Sequence, residues 1–173
     1  GTISCWGYDS DGQSDPATAT PTPATGNNWA SISSGYLHTC ALNSAGDLSC
    51  WGSNSHAQST EPFGPHKYIS TGEIHNCALQ DDDQIDCWGS NDNGRATDQP
   101  DTYLTVESGI DHTCALESSG QVACWGSNLY LQADPPTNYF SDIGSGRHFS
   151  CGINEMDAVQ CWGDNSMGQL NTP

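Results

Sequence analysis

The chain has 173 residues, of which 34% are hydrophobic, and carries 21 acidic against 3 basic side chains (Lys67, Arg95 and Arg147) for a formal net charge of −18. Such a surface repels phosphate backbones and anionic lipid heads, so no nucleic-acid partner is expected, and no apolar run reaches membrane-span length, so no membrane insertion is expected either. The small apolar share argues against one large core and for several small ones, and 9 cysteines in regular register offer staples that persist in an oxidising compartment, extracellular or at the cell surface.

Taken from the start, residues 1–28 read as half of a repeat. Thr2–Trp6 is predicted as a β-strand ending in the triplet Cys5-Trp6-Gly7, with no preceding strand for Cys5 to face. An odd cysteine of this kind is expected to be unpaired or to form an intermolecular bond. Asp9, Asp11 and Asp15 follow in a stretch that resembles the start of a Ca²⁺ loop but lacks the distal bidentate Glu. Ca²⁺ is therefore a weak candidate, and otherwise no cofactor is expected. The Thr/Pro-rich stretch Ala17 to Thr25 reads as a spacer or an O-glycan carrier. The chain does not begin with Met, which reads as a mature or partial chain, and it has no Asn-x-Ser/Thr acceptor.

Four full copies come next, at 29–66, 67–102, 103–138 and 139–173, one continuous repeat domain. Cys40, Cys77, Cys114 and Cys151 stand 37 residues apart, and so do Cys50, Cys87, Cys124 and Cys161, each of which opens a Cys-Trp-Gly triplet. Gly35, Gly72, Gly109 and Gly146 lie five residues before the first cysteine of each copy. Seven residues after the tryptophans come Gln13, Gln58, Arg95, Gln132 and Gln169, in polar loops that end near a Pro. Tyr103–Glu107 is a run of β-formers, and Cys114–Leu116, a turn over Glu117–Gly120 and Val122–Trp125 read as a hairpin, with matching turns at Asn43–Asp47, Gln80–Gln84 and Asn154–Ala158. Three or four short strands per copy without helical periodicity predict an all-β array of propeller-type blades, possible as a closed, partial or neighbour-completed object.

The two cysteines of a copy flank one hairpin at mirror-related positions, so they can face each other across it. Disulfides Cys40–Cys50, Cys77–Cys87, Cys114–Cys124 and Cys151–Cys161 are expected, each closing a loop of about ten residues and contributing roughly 2–3 kcal/mol. The alternative links neighbouring copies: Cys5–Cys40, Cys50–Cys77, Cys87–Cys114 and Cys124–Cys151.

The run Gly109 to Asn128, GIDHTCALESSGQVACWGSN, resembles the regulator of chromosome condensation repeat in the short, cysteine-bearing form of bacterial secreted and surface proteins, and is similar to the second-type β-lactamase inhibitory propeller. The resemblance covers nearly the whole chain. It implies a β-propeller that binds proteins and performs no chemistry, usually closed with seven blades where this chain supplies about four and a half.

Trp6, Trp51, Trp88, Trp125 and Trp162 are expected to pack between blades, whereas Trp29, outside that frame, is the expected exposed aromatic. The histidine column His38, His75 and His112 could ring an axis and bind metal; the expected role is structural, each histidine bonding its own loop backbone. His148 is displaced by one position, with Phe149 in the column. Zinc–thiolate knuckles need closer cysteine spacing than ten residues. No nucleophile–base constellation stands out, so no enzymatic activity is expected. Two functions remain. One is an extracellular module binding a protein or glycan through the loops after each Trp. The other is a structural subunit that joins copies of itself head to tail through the half repeat into a filament or surface appendage.

Overall fold

Each full copy folds into one three-stranded antiparallel sheet in the computed structural model, which describes residues 2–16 and 28–172; the Thr/Pro-rich stretch and Pro173 lie outside the described residues. The strands are β1 (Trp29–Ser34), β2 (His38–Asn43) and β3 (Leu48–Gly52); β4 (His66–Thr71), β5 (His75–Gln80) and β6 (Ile85–Gly89); β7 (Tyr103–Ser108), β8 (His112–Glu117) and β9 (Val122–Gly126); and β10 (Phe140–Ser145), β11 (Phe149–Asn154) and β12 (Val159–Gly163). All four sheets are simple meanders in chain order. A fourth strand survives as one bridge between Gln99 and Ile85 in the second copy. The chain is an all-β, open array of propeller-type blades.

Register follows from the hairpin turns. Cys40 pairs with Cys50, Cys77 with Cys87, Cys114 with Cys124 and Cys151 with Cys161. All four pairs are disulfide-bonded within their own blade, with Cα atoms 4.0–4.1 Å apart, so the bridges between neighbouring copies do not form. Every first strand carries a bulge after its first residue, and that residue belongs to an aromatic column of period 37: Trp29, His66, Tyr103 and Phe140. Trp29 is thus a half-buried strand residue packed near Ala41 and Trp51, not the exposed aromatic expected.

Side chains alternate across each strand, and this gives every blade two unlike faces. The forward face of the first blade presents the Cys40–Cys50 bridge with Leu42 and Leu48, and it packs on Ile69, Ala78 and Trp88 of the second. The same contact recurs between Leu79 and Ile85 and Val106, Ala115 and Trp125, then between Leu116 and Ile143 and Trp162. One large interior is replaced by small cores between stapled sheets. The first strands β1, β4, β7 and β10 lie side by side, and their ends line a common cavity of about 250 Å³.

The half repeat departs from expectation in two ways. Thr2–Trp6 forms no strand, and among the described residues no strand lies beside it to pair with. Ile3 and Cys5 nonetheless pack against Ala41 and Trp51, as Leu48 and Cys50 pack against the second blade. Trp6 is not a core residue: it is 86% exposed, whereas Trp51 is 1% exposed. Each blade tryptophan is covered by the loop of the preceding copy, and the described residues hold no loop before Trp6. Cys5 is a free thiol.

Candidate interaction face

The tryptophans latch one blade to the next. The indole N–H of Trp51 donates to the Gln13 carbonyl at 2.9 Å; Trp88 donates to that of Gln58 at 3.1 Å, Trp125 to Arg95 at 3.1 Å and Trp162 to Gln132 at 3.0 Å. A side chain one residue before the first cysteine reinforces the latch: Thr39 Oγ1, Asn76 Nδ2 and Thr113 Oγ1 donate to the same carbonyls of Gln13, Gln58 and Arg95. The column of Gln13, Gln58, Arg95 and Gln132 makes the latch through its backbone carbonyls, to which Gln and Arg contribute alike.

The histidines also point across blades and do not bond their own loop backbone as expected. His38 Nε2 lies 2.7 Å from Asn76 Oδ1, His75 Nε2 3.0 Å from Thr113 Oγ1 and His112 Nε2 2.8 Å from Ser150 Oγ. Thr113 spends its proton on the Arg95 carbonyl, so His75 carries its own proton on Nε2, and the Asn76 oxygen fixes the same tautomer in His38. The Nδ1 atoms of all three rings are buried against the glycine of the same blade; those of His38 and His75 have no hydrogen-bond partner, and that of His112 lies 3.7 Å from Asp111 Oδ1. A Cβ on Gly35 would lie 2.3 Å from the His38 ring and 2.5 Å from the Gly72 carbonyl oxygen. The Gly–His column is thus one packing unit. Burial keeps the three rings neutral. It lowers the pKa of His38, pushes His75 down to about 3, and pushes His112 to about 4 against the pull of Asp111.

One end of the array gathers the turns between first and second strands together with the loops after each tryptophan. Backbone bonds tie them: Ser53 N–H to the Leu37 carbonyl, Ser90 to Ile74, Ser127 to Asp111 and Asp164 to His148. The turns present Tyr36, Glu73, Ile110 and Arg147 around the shared cavity. The loops share one internal scaffold. Asp9, Asn54, Asn91, Asn128 and Asn165 each accept, at 2.7–3.0 Å, the backbone N–H five residues on. Gln13, Gln58, Gln132 and Gln169 each accept, at 2.8–2.9 Å, the N–H two residues back. Asp9 is therefore a loop-closing residue, and among the described residues no group of three or more His, Cys, Asp or Glu is arranged to hold a metal ion.

On that fixed scaffold the loop tips vary. They read Ser10-Asp11, Ser55-His56, Asp92-Asn93 and Ser166-Met167, but Leu129-Tyr130 in the third blade, followed by Leu131. The residue before the Gln or Arg takes a left-handed backbone; Gly12, Gly94 and Gly168 suit it, while Ala57 and Leu131 hold it at φ 62° and 65°. Leu129 is 84% and Leu131 61% exposed, so neither is held there by burial. Tyr130 packs against His148 with ring centroids 5.0 Å apart, and His148 Nδ1 lies 3.5 Å from Asp111 Oδ1. The loops were legible as polar insertions, but a rigid loop bearing an apolar tip needs its bonding pattern to be recognised.

The model of the Regulator of chromosome condensation (RCC1) repeat matches residues 29–58, 67–95, 105–132 and 140–169. Among solved structures, the CRINKLY WD40 ectodomain of the Arabidopsis thaliana receptor kinase ACR4 is 27% identical with a TM-score of 0.66, over 80% of this chain and 51% of that one. The ectodomain of the Physcomitrella patens receptor kinase CR4 is also 27% identical with a TM-score of 0.68, over 82% and 43%. Yeast RCC1 (Prp20), solved bound to Kap60, shares the fold at 18% identity and a TM-score of 0.70, over 83% and 45%. The chain spans about half the length of these structures. A search of curated protein sequences finds no match. Four family repeats, one to each stapled sheet, establish that the chain belongs to the regulator of chromosome condensation repeat family.

Proposed function

We propose that the chain is a non-enzymatic protein-binding module of an oxidising, extracellular or cell-surface compartment, gripping its partner through the loop tip Leu129-Tyr130-Leu131. The observation that carries this reading is the apolar tip itself. A strongly acidic chain whose other tips are Ser, Asp, Asn and His with a single Met places two exposed leucines and a tyrosine on one rigid loop. Aromatic and aliphatic anchors on a rigid scaffold supply most of the energy of protein interfaces. Leucine offers no hydrogen bond to a sugar hydroxyl, which favours a protein over a glycan. The four bridges favour an oxidising compartment. The family fold also fits a binding role: yeast RCC1 (Prp20) is described in complex with Kap60 and as binding Gsp1p and histones. The surrounding acidity selects a partner with basic residues around an apolar pocket.

The test replaces Leu129-Tyr130-Leu131 by the Ser-His-Ala of the first blade's loop. The graft is expected to leave thermal stability unchanged or slightly raised and to weaken binding of a partner captured by the native chain by about tenfold or more. Equal retention of that partner by the graft overturns the assignment to this loop.

A further inference from the structure

The junction between the third and fourth blades replaces an aliphatic pair with charge. At the position just before the histidine column the first two blades carry Leu37 and Ile74. The last two carry Asp111 and His148, the histidine that sits one place out of its column. All four residues do the same backbone work, accepting an N–H from the loop after the tryptophan. The last two side chains also face each other as acid and base: His148 Nδ1 is buried, short of a hydrogen bond, 3.5 Å from Asp111 Oδ1. This pair underlies the apolar tip. Tyr130 lays its ring against His148, with centroids 5.0 Å apart, and Gln132 Nε2 donates to Asp111 Oδ1 at 3.3 Å. Two residues of the loop are thus anchored on one carboxylate–imidazole pair.

We propose that this pair is a proton-operated clamp on the loop. A proton on His148 turns its contact with Asp111 into an ion pair, lays a cation against the Tyr130 ring and tightens the loop that carries Leu129 and Leu131. With Leu129-Tyr130-Leu131 as the binding site, on which this inference rests, the grip on a partner is stronger at mildly acidic than at neutral pH. Histidine is the side chain whose charge changes between about pH 5 and pH 8. Imidazolium–carboxylate bonds are stronger than neutral ones, and a cation within about 6 Å of an aromatic ring is attracted to its face. The charged and titratable groups around His148 are Asp111, His112 and Tyr130 of the third blade, with Asp164 and the chain neighbour Arg147 of the fourth. Two carboxylates thus favour the proton, against one guanidinium on an exposed residue. His112 lies 3.7 Å from the same Asp111 oxygen but does not compete, because burial pushes its pKa down to about 4.

Hydrogen exchange of the free chain reads the clamp without a partner. The Leu131 and Ala133 amides bond to Asn128 as the Gly94 and Ala96 amides bond to Asn91. The second blade's loop is therefore an internal reference, against which the intrinsic pH dependence of exchange cancels. Protection of Leu131 and Ala133 relative to Gly94 and Ala96 is expected to rise about threefold or more from about pH 7.5 to about pH 5.5. His148→Phe, which keeps a ring beneath Tyr130 but takes no charge, and Asp111→Asn are each expected to hold that ratio constant. A constant ratio in the native chain, or a rise that persists in either variant, overturns the clamp. A partner captured by the native chain should be retained about threefold or more better at the lower pH, with no such gain in His148→Phe; equal retention at both pH values overturns the coupling to binding. The two readings fail separately. A flat native ratio removes the clamp and leaves the tip as the binding site, while equal partner retention by the Ser-His-Ala graft removes the tip and leaves the clamp.

Discussion

Trp51 and Trp6 occupy the same place in the repeat but differ in what precedes them. Trp51 gives its N–H to Gln13 and is buried; Trp6 meets solvent. Trp51→Phe should therefore cost about 1–3 kcal/mol, from the unpaired Gln13 carbonyl and the lost packing, while Trp6→Phe should stay within about 0.5 kcal/mol; urea unfolding of both variants measures the difference. The histidines make stability depend on pH. Near the ordinary value of 6.5 the unfolded chain takes up protons that folded His75 and His112 refuse until about 3 and 4. Stability is complete above that ordinary value and is lost as pH falls below it, by about 1.4 kcal/mol per pH unit for each histidine within its window. Burial raises the Glu61 and Glu107 carboxyls, which acts in the opposite direction, so the measurement is a difference. His75→Asn should show a shallower loss of stability between neutral pH and pH 4 than the native chain, and parallel curves would refute the role assigned to His75. The residue columns were legible from period 37 alone. What they touch was not, because the indole–carbonyl and His–hydroxyl pairs are 30 and 38 residues apart and exist only once blades are placed side by side.

At the scale of the element, the hairpin is the unit that sequence arithmetic captures best. Two cysteines ten residues apart around a turn can face one another in only one antiparallel register, and that register appears in all four blades. The same reasoning failed for Thr2–Trp6, since a strand is defined by its neighbour and this one has none. The last blade is open in the opposite direction. Ile153 and Val159 are exposed where Leu116 is buried, and both cysteines of the Cys151–Cys161 pair are partly exposed while Cys40 and Cys50 are buried. Limiting reductant should therefore open Cys151–Cys161 first and Cys40–Cys50 later, as differential alkylation and peptide mapping would record. Simultaneous reduction would indicate that the blades do not shield one another.

The molecule as a whole is close to one-dimensional: each blade contacts the ones beside it, and its stability is a sum of stapled hairpins and nearest-neighbour interfaces. Such a chain can vary one loop tip freely, because the scaffold beneath Leu129-Tyr130-Leu131 recurs in the other loops: an Asn or Asp bonds the N–H five residues on in every copy, and a Gln bonds the N–H two residues back in all but the second blade. All of this depends on each blade being closed upon itself. Non-reducing peptide mapping of the purified chain tests that most directly. The account predicts Cys40–Cys50, Cys77–Cys87, Cys114–Cys124 and Cys151–Cys161 linked within their own hairpins, with Cys5 as the one free thiol. Links from Cys50 to Cys77 or from Cys87 to Cys114 would contradict it.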